Sequence, residues 1–377
     1  MAFRNAFLLA GLALLPALAE IIPIVGTGRF DVAVRTTSLT DSERVDPFAN
    51  DGRLRSIMVS AFSPVLDCRQ KKTEPYMSPT IAAFQDEKFA AYGLPQGTFP
   101  SLELETCVHG ASRRGGSSQS FPLVLFSGAL GTSRMLYNSM LQSIAAAGFL
   151  VVSIDHPYDA DIVEFPDGTA ITGLDLSTDA EIELTLTTRA DDVAFLYKQS
   201  TNTSFISKLF PKYGQAGCER KTAFIGHSLG GATAAAAMLQ VPSIRGGLNL
   251  DGSMFGPVLD AGLDRPFMLI GHENKTQATD PSWKTIWPKL TDWKREVEVK
   301  GAAHYSFSDL PLLTAVLGLQ ESLPAEVGEV LGTMEGNRMM NLTVTYVTAF
   351  LDMVLKSGSK DFLGDIGGNF PEVIEVA

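Results

Sequence analysis

The chain has 377 residues, 45% of them hydrophobic and 19% charged, which is enough apolar matter for a large core and excludes a disordered polypeptide. A formal net charge of -12 excludes nucleic acid and anionic membranes as electrostatic partners. On length, one extended α/β domain is as admissible as two.

Residues 1–19 read as a secretory signal peptide: Arg4 supplies the positive end, Ala6 to Leu15 the apolar stretch, and Ala17-Leu18-Ala19 the small-x-small cleavage site before Glu20. The rival reading is an anchor, because Ile21 to Val25 resume the apolar run and residues 6–26 approach the about 20 residues of a membrane span. Glu20 interrupts that run, so cleavage and a secreted chain are expected. No other segment is long and apolar enough to span. The remaining 20–377 reads as one domain, with edge strands and a cap over 20–120, a catalytic core over 121–357 and a tail over 358–377.

Export fits three sequons, at Asn202, Asn274 and Asn341, as glycosylation sites. It also permits one disulfide among Cys68, Cys107 and Cys218. Cys68 with Cys107 is the preferred pair because both lie in the irregular N-terminal third, and Cys218 reads as a buried thiol.

Arg29 to Ser38 and Arg55 to Phe62 alternate apolar and polar residues like antiparallel edge strands. Residues 63–120, rich in Pro, Gly and polar side chains, predict an irregular cap, with Arg113 to Ser118 the most linker-like stretch. From Phe121, short apolar runs recur at 123–126, 149–154, 222–225, 246–250, 267–270 and 297–299, with helix-length segments at 133–147, 180–198, 230–240, 280–292 and 342–356. This is the signature of an α/β fold with a mostly parallel, doubly wound sheet. Ile162 to Ile171 predicts a hairpin around Pro166-Asp167-Gly168.

The most informative segment is Gly226-His227-Ser228-Leu229-Gly230, entered by a strand-like run and left by an Ala-rich helical one. This context makes Ser228 a candidate nucleophile at the apex of a strand-to-helix turn, against a plain turn as the alternative, and the free amide of Leu229 at the helix start could receive an oxyanion. A serine hydroxyl needs a base to take its proton and a carboxylate to hold that base. Of five histidines, His272 and His304 follow late strands as this triad order requires, and His304, in the small-residue loop Gly301-Ala302-Ala303, is preferred. For the acid, Asp251 ends one strand and Glu273 follows the next. The loop Ser127-Gly128-Ala129-Leu130-Gly131-Thr132 is the expected source of a second oxyanion donor, the Leu130 amide. Histidine spacing implies no metal, and no cofactor is expected. His156, Met254, Phe255, Tyr305 and Phe307 are candidates for a substrate pocket, with structural or core roles as the alternative.

The run Phe121 to Tyr137, the elbow, Leu248-Asn249-Leu250-Asp251-Gly252 and Gly301 to Asp309, with 23 residues from Ser228 to Asp251 and 53 from Asp251 to His304, resemble the platelet-activating factor acetylhydrolase family in its plasma or bacterial form. That resemblance implies an α/β-hydrolase fold with antiparallel N-terminal edge strands, a Ser228, Asp251 and His304 triad, an oxyanion hole of Leu130 and Leu229, and activity on short-acyl phospholipids. This chain departs from the family where Gly128-Ala129 stands in place of a histidine and glycine. The leading reading is a secreted serine ester hydrolase acting on a small-molecule or lipid ester, with at most peripheral contact with membranes or lipid particles. Two others compete: an esterase, lactonase or acyl transferase serving a natural-product or polymer ester, and a binding protein on a hydrolase scaffold.

Overall fold

The computed structural model describes residues 19–108, 120–211, 213 and 220–377. The body of the expected signal peptide, His109, the linker-like stretch from Arg113 and Cys218 lie outside the described residues. In chain order the strands are β1 (Glu20–Ile22), β2 (Asp31–Val45), β3 (Leu54–Val65), β4 (Lys71–Pro75), β5 (Leu102–Cys107), β6 (Leu123–Ser127), β7 (Leu150–Asp155), β8 (Ile162–Glu164), β9 (Ala170–Thr172), β10 (Thr222–His227), β11 (Ile244–Leu250), β12 (Phe267–His272), β13 (Lys294–Val299) and β14 (Val373–Glu375). The helices are α1 (Pro79–Ala90), α2 (Asn138–Ala146), α3 (Asp179–Ser200), α4 (Thr203–Leu209), α5 (Leu229–Gln240), α6 (Val258–Ala261), α7 (Pro281–Ile286), α8 (Leu310–Val316), α9 (Ala325–Leu331), α10 (Gly336–Lys356) and α11 (Phe362–Gly367).

A nine-stranded sheet, in the order β14-β13-β12-β11-β10-β6-β7-β3-β2, organises the molecule. From β13 to β7 neighbouring strands are parallel, while β14 runs antiparallel to β13 and the β2–β3 hairpin antiparallel to β7. The apolar runs are continuous because both sheet faces are covered. In β6, Val124 and Phe126 enter one core with Met140 and Ile144 of α2 and Phe350 of α10. Leu123 and Leu125 enter the opposite core with Leu186 and Val193 of α3 and Ala234 of α5. The result is the α/β-hydrolase fold, with antiparallel N-terminal edge strands.

Two expectations are corrected. The segment 63–120 is not wholly irregular: β1, β5 and β4 form a small sheet, and α1 begins with Ser78 ahead of Pro79 at the first helical position. Cys68 and Cys107, at the borders of this segment, are joined by a disulfide. The helix expected over 280–292 ends at Ile286 and tightens into a short turn at Trp287–Lys289, where Pro288 disfavours a continued helix. Residues 162–172 do form a hairpin, β8–β9.

Candidate active site

Ser228 sits between β10 and α5 with φ 57° and ψ −125°, a conformation that costs a non-glycine residue energy and lifts its hydroxyl off the sheet. The neighbouring glycines are sterically required. A Cβ on Gly226 would lie 2.1 Å from the Gly230 carbonyl oxygen, and one on Gly230 would lie 2.0 Å from that of Ser127. Backbone bonds fix the turn, Ser228 N–H donating to Leu250 O at 2.8 Å and Gly231 N–H to Ser228 O at 2.8 Å.

His304, in the loop after β13, places Nε2 3.0 Å from Ser228 Oγ and Nδ1 2.5 Å from Asp251 Oδ2. With Nδ1 protonated toward the carboxylate, Nε2 is left as the hydrogen-bond acceptor facing the Ser228 hydroxyl. Asp251 follows β11 at φ 63° and is locked in place, since its N–H donates to Ile270 O and the next residue, Gly252, exchanges hydrogen bonds with Asn249. Its side chain is wholly buried. Burial pushes the Asp251 carboxyl up, but hydrogen bonds from His272 and His304 outweigh it and hold its pKa at about 2.

His272 is a partner that the sequence ranked only as a rival base. Its backbone N–H and its Nδ1–H both donate to Asp251 Oδ1, at 2.8 and 2.6 Å, so one carboxylate orients two imidazoles. Glu273, the rival acid, instead accepts the Gly301 N–H at 2.9 Å. Asp251, His272 and His304 are also the His/Asp group compact enough to hold a metal among the described residues. Their N···O separations of 2.5 and 2.6 Å are shorter than the about 3.3 Å between two ligands on a tetrahedral zinc, so these atoms are arranged to share protons.

The loop after β6 presents the Leu130 amide. On either side of it, Ala129 N–H donates to Tyr137 Oη at 3.0 Å and Gly131 N–H to Asp159 O at 2.9 Å. Among the described residues the amides of Leu130 and Leu229 have no protein acceptor. Arg189, paired with Asp159 and buried, anchors the same loop by donating to Gly128 O at 2.7 Å.

His227, inside the elbow, links both halves of this machinery. Its Nε2–H donates to the carbonyl of His304 at 2.8 Å and its Nδ1 accepts the Tyr137 hydroxyl at 2.8 Å. Burial, with the neighbouring His304, drives its pKa down to about 3, so the ring stays neutral and this pattern is fixed. Nothing in the sequence marks Tyr137 as its partner, because the contact depends on how α2 packs.

The candidate pocket residues separate. His156 is buried, with Nδ1 2.8 Å from Asp192 and Nε2 2.9 Å from Ser127 Oγ, and burial lowers its pKa. It braces the end of β6, where the loop carrying Leu130 begins. Met254 and Phe307 are likewise buried in the cores, where packing takes them, while Phe255 is exposed. Tyr305 is half-buried, its ring 5.4 Å from that of His304 and its hydroxyl 3.5 Å from Thr132 Oγ. Asn202 and Asn274 are exposed, and Asn341 is half-buried within α10.

The family model described as platelet-activating factor acetylhydrolase, isoform II, matches residues 93–165 and 215–364, which include Leu130, Ser228, Asp251 and His304. A probable 1-alkyl-2-acetylglycerophosphocholine esterase of Arthroderma benhamiae is 27% identical over 372 residues, 92% of this chain and 92% of that protein. A platelet-activating factor acetylhydrolase of Cavia porcellus is 24% identical over 234 residues, 56% of this chain and 54% of its own. Among solved structures, a ferulic acid esterase from Streptomyces cinnamoneus superposes with a TM-score of 0.80 at 27% identity, covering 95% of this chain and 100% of that one.

Proposed function

Because this chain belongs to the platelet-activating factor acetylhydrolase family and is a carboxylic ester hydrolase of that type, we propose that it is a secreted serine esterase for short-acyl esters such as acetylated phospholipids. The observation that carries the mechanism is the placement of His304 between Ser228 Oγ and Asp251, in the same site as two free amides. In this reading His304 Nε2 takes the serine proton while Oγ attacks the ester carbonyl, and the amides of Leu130 and Leu229 receive the developing oxyanion. His304 then returns the proton to the departing alcohol. Water, deprotonated by the same imidazole, releases the acyl group and restores Ser228.

Secretion rests on the leader-like residues 1–19 and is supported by the Cys68–Cys107 disulfide and by the exposed sequons at Asn202 and Asn274. Among the described residues no helix is long and apolar enough to cross a membrane.

A second reading, an esterase for a natural-product or polymer ester, is favoured by the similarity to the Streptomyces ferulic acid esterase. Ser228→Ala should abolish p-nitrophenyl acetate hydrolysis, and labelling by a fluorophosphonate probe, in a chain that remains folded. Undiminished turnover by that variant refutes the mechanism. Faster cleavage of feruloyl esters than of an acetylated phospholipid would favour the second reading.

A further inference from the structure

Asp309 is a buried carboxyl to which the mechanism gives no task. It closes the segment that begins at His304, where His304–Phe307 form one short helical turn and Ser308 follows. Its Oδ2 accepts the Tyr76 hydroxyl at 2.6 Å and the Ser139 N–H at 2.6 Å, and its Oδ1 accepts the Met140 N–H at 3.0 Å. Its own N–H donates to Leu136 O at 2.8 Å. Ser139 and Met140 belong to the first turn of α2, whose N-cap residue, Tyr137, supplies no side-chain cap. Asp309 takes that place from 170 residues away, and the free amides and dipole of the helix start favour a carboxylate there. Burial pushes the Asp309 pKa up to about 7, against the hydrogen bonds from Tyr76, Ser139 and Met140.

We propose that Asp309 is a positioning residue for His304, setting where the imidazole stands against Ser228 by docking its turn on the start of α2. The inference rests on the serine ester hydrolase reading and adds to it a residue outside the triad. The turn has two anchors. At its start the His304 carbonyl accepts the His227 Nε2–H at 2.8 Å, and just beyond its end stands Asp309. One hydrogen bond to a carbonyl leaves a turn free to pivot, and a second point of attachment removes that freedom. Both anchors lead back to Tyr137, which directly precedes α2 and whose hydroxyl also receives the Ala129 N–H. The start of α2 is therefore a common seat for the base and for the loop after β6. Displacement of Asp309 from it is passed to His304 Nε2, which lies 3.0 Å from Ser228 Oγ and has little slack.

The test is Asp309→Asn in the full chain, assayed at about pH 8.5, where the wild-type carboxyl is ionised. The amide keeps the volume but turns an NH₂ group toward donors that the carboxylate accepted. The end point of fluorophosphonate labelling counts the folded sites, and kcat for p-nitrophenyl acetate is expressed per site. Per-site kcat and the labelling rate should fall together by about ten- to a hundredfold, with KM within about twofold of the wild type. A residue that only holds the fold would leave fewer sites, each with the wild-type kcat and labelling rate, and that result overturns the inference. A raised KM at unchanged kcat overturns it as well. If Asp309→Asn yields no folded sites, Tyr76→Phe decides: it removes one of the three donors and should lower per-site kcat and labelling rate by roughly threefold, whereas wild-type values there overturn the inference. Folded wild-type protein that neither labels nor cleaves the ester overturns the hydrolase reading and this inference together.

Discussion

The Tyr137 hydroxyl lies 2.8 Å from Nδ1 of His227, and this contact joins the loop after β6 to the elbow that carries Ser228. Tyr137 receives the Ala129 N–H from the oxyanion side, and His227 holds the carbonyl of His304 on the other. Tyr137→Phe removes one oxygen from this chain and keeps the ring, so Ala129 and His227 each lose a partner. Turnover number should fall about tenfold with KM little changed, since the loss concerns placement of the Leu130 donor. Stability should fall by about 1 to 3 kcal/mol, the cost of the unpaired buried groups. Unaltered kcat in a folded variant would show that the loop holds its shape without the phenol.

His272 shares Asp251 with His304, and its removal should be felt by the base. His272→Phe leaves the backbone N–H on Asp251 Oδ1 but takes away the Nδ1–H. The carboxylate then loses a charge-assisted hydrogen bond worth roughly 1.5 to 3 kcal/mol. We expect a lower kcat, a KM within about twofold of the wild type, and partial recovery in His272→Asn, whose amide can still donate. Equal kinetics in all three proteins would reduce His272 to a bystander.

Acid should destabilise the fold in two steps. His227 stays neutral in the folded chain down to about pH 3, whereas unfolded it protonates near 6.5, so the unfolded chain binds the extra proton across that interval and stability declines as pH falls through it. Asp251 acts lower down: held at about 2 against an ordinary 3.8, it contributes stability that is full above pH 3.8 and is lost as pH falls through 2. In urea unfolding as a function of pH, His227→Gln should make the decline between pH 6.5 and 3 shallower, buried His156 supplying the remainder, and leave the lower step in place. The same slope in both proteins would mean that His227 protonates without leaving its site.

The Cys68–Cys107 disulfide closes a loop of 39 residues around β4, α1 and β5. Loop-closure entropy assigns it about 4 kcal/mol of stability. The doubly substituted Cys68→Ser, Cys107→Ser protein should unfold at correspondingly lower denaturant, and reducing agent should shift the wild type to the same midpoint. A midpoint insensitive to reductant would show that the segment is held by its packing alone.

Much of the architecture was readable because it rests on local patterns. Apolar runs of strand length mark β6, β7 and β10 to β12, and the glycines flanking Ser228 mark the elbow through a requirement for space that only glycine meets. The small sheet of β1, β4 and β5 was not readable, since Lys71 to Pro75 is short and polar and pairs with a strand that lies beyond an intervening helix. Ser78-Pro79 did carry a helix-start signal for α1. At the site, chain order narrowed the histidines, but it gave no means of seeing that Asp251 serves two of them. His156 was open to a pocket or a structural role because it follows a core strand, and its burial between Asp192 and Ser127 matches the structural one.

Those last contacts extend further than the active site. Arg55, on β3 of the outermost hairpin, is buried and bonds both Asp46 and Asp192, and Asp192 in turn holds His156 against Ser127 at the root of the loop after β6. A chain of polar contacts thus runs from the outermost hairpin to Ser127 at the end of β6. A trimmed enzyme beginning near Phe121 would keep every residue of the mechanism and still strand Asp192 as a buried anion without its guanidinium. The β2–β3 hairpin thus supplies the counter-charge for Asp192, and removing it should destabilise the segment around Ser127.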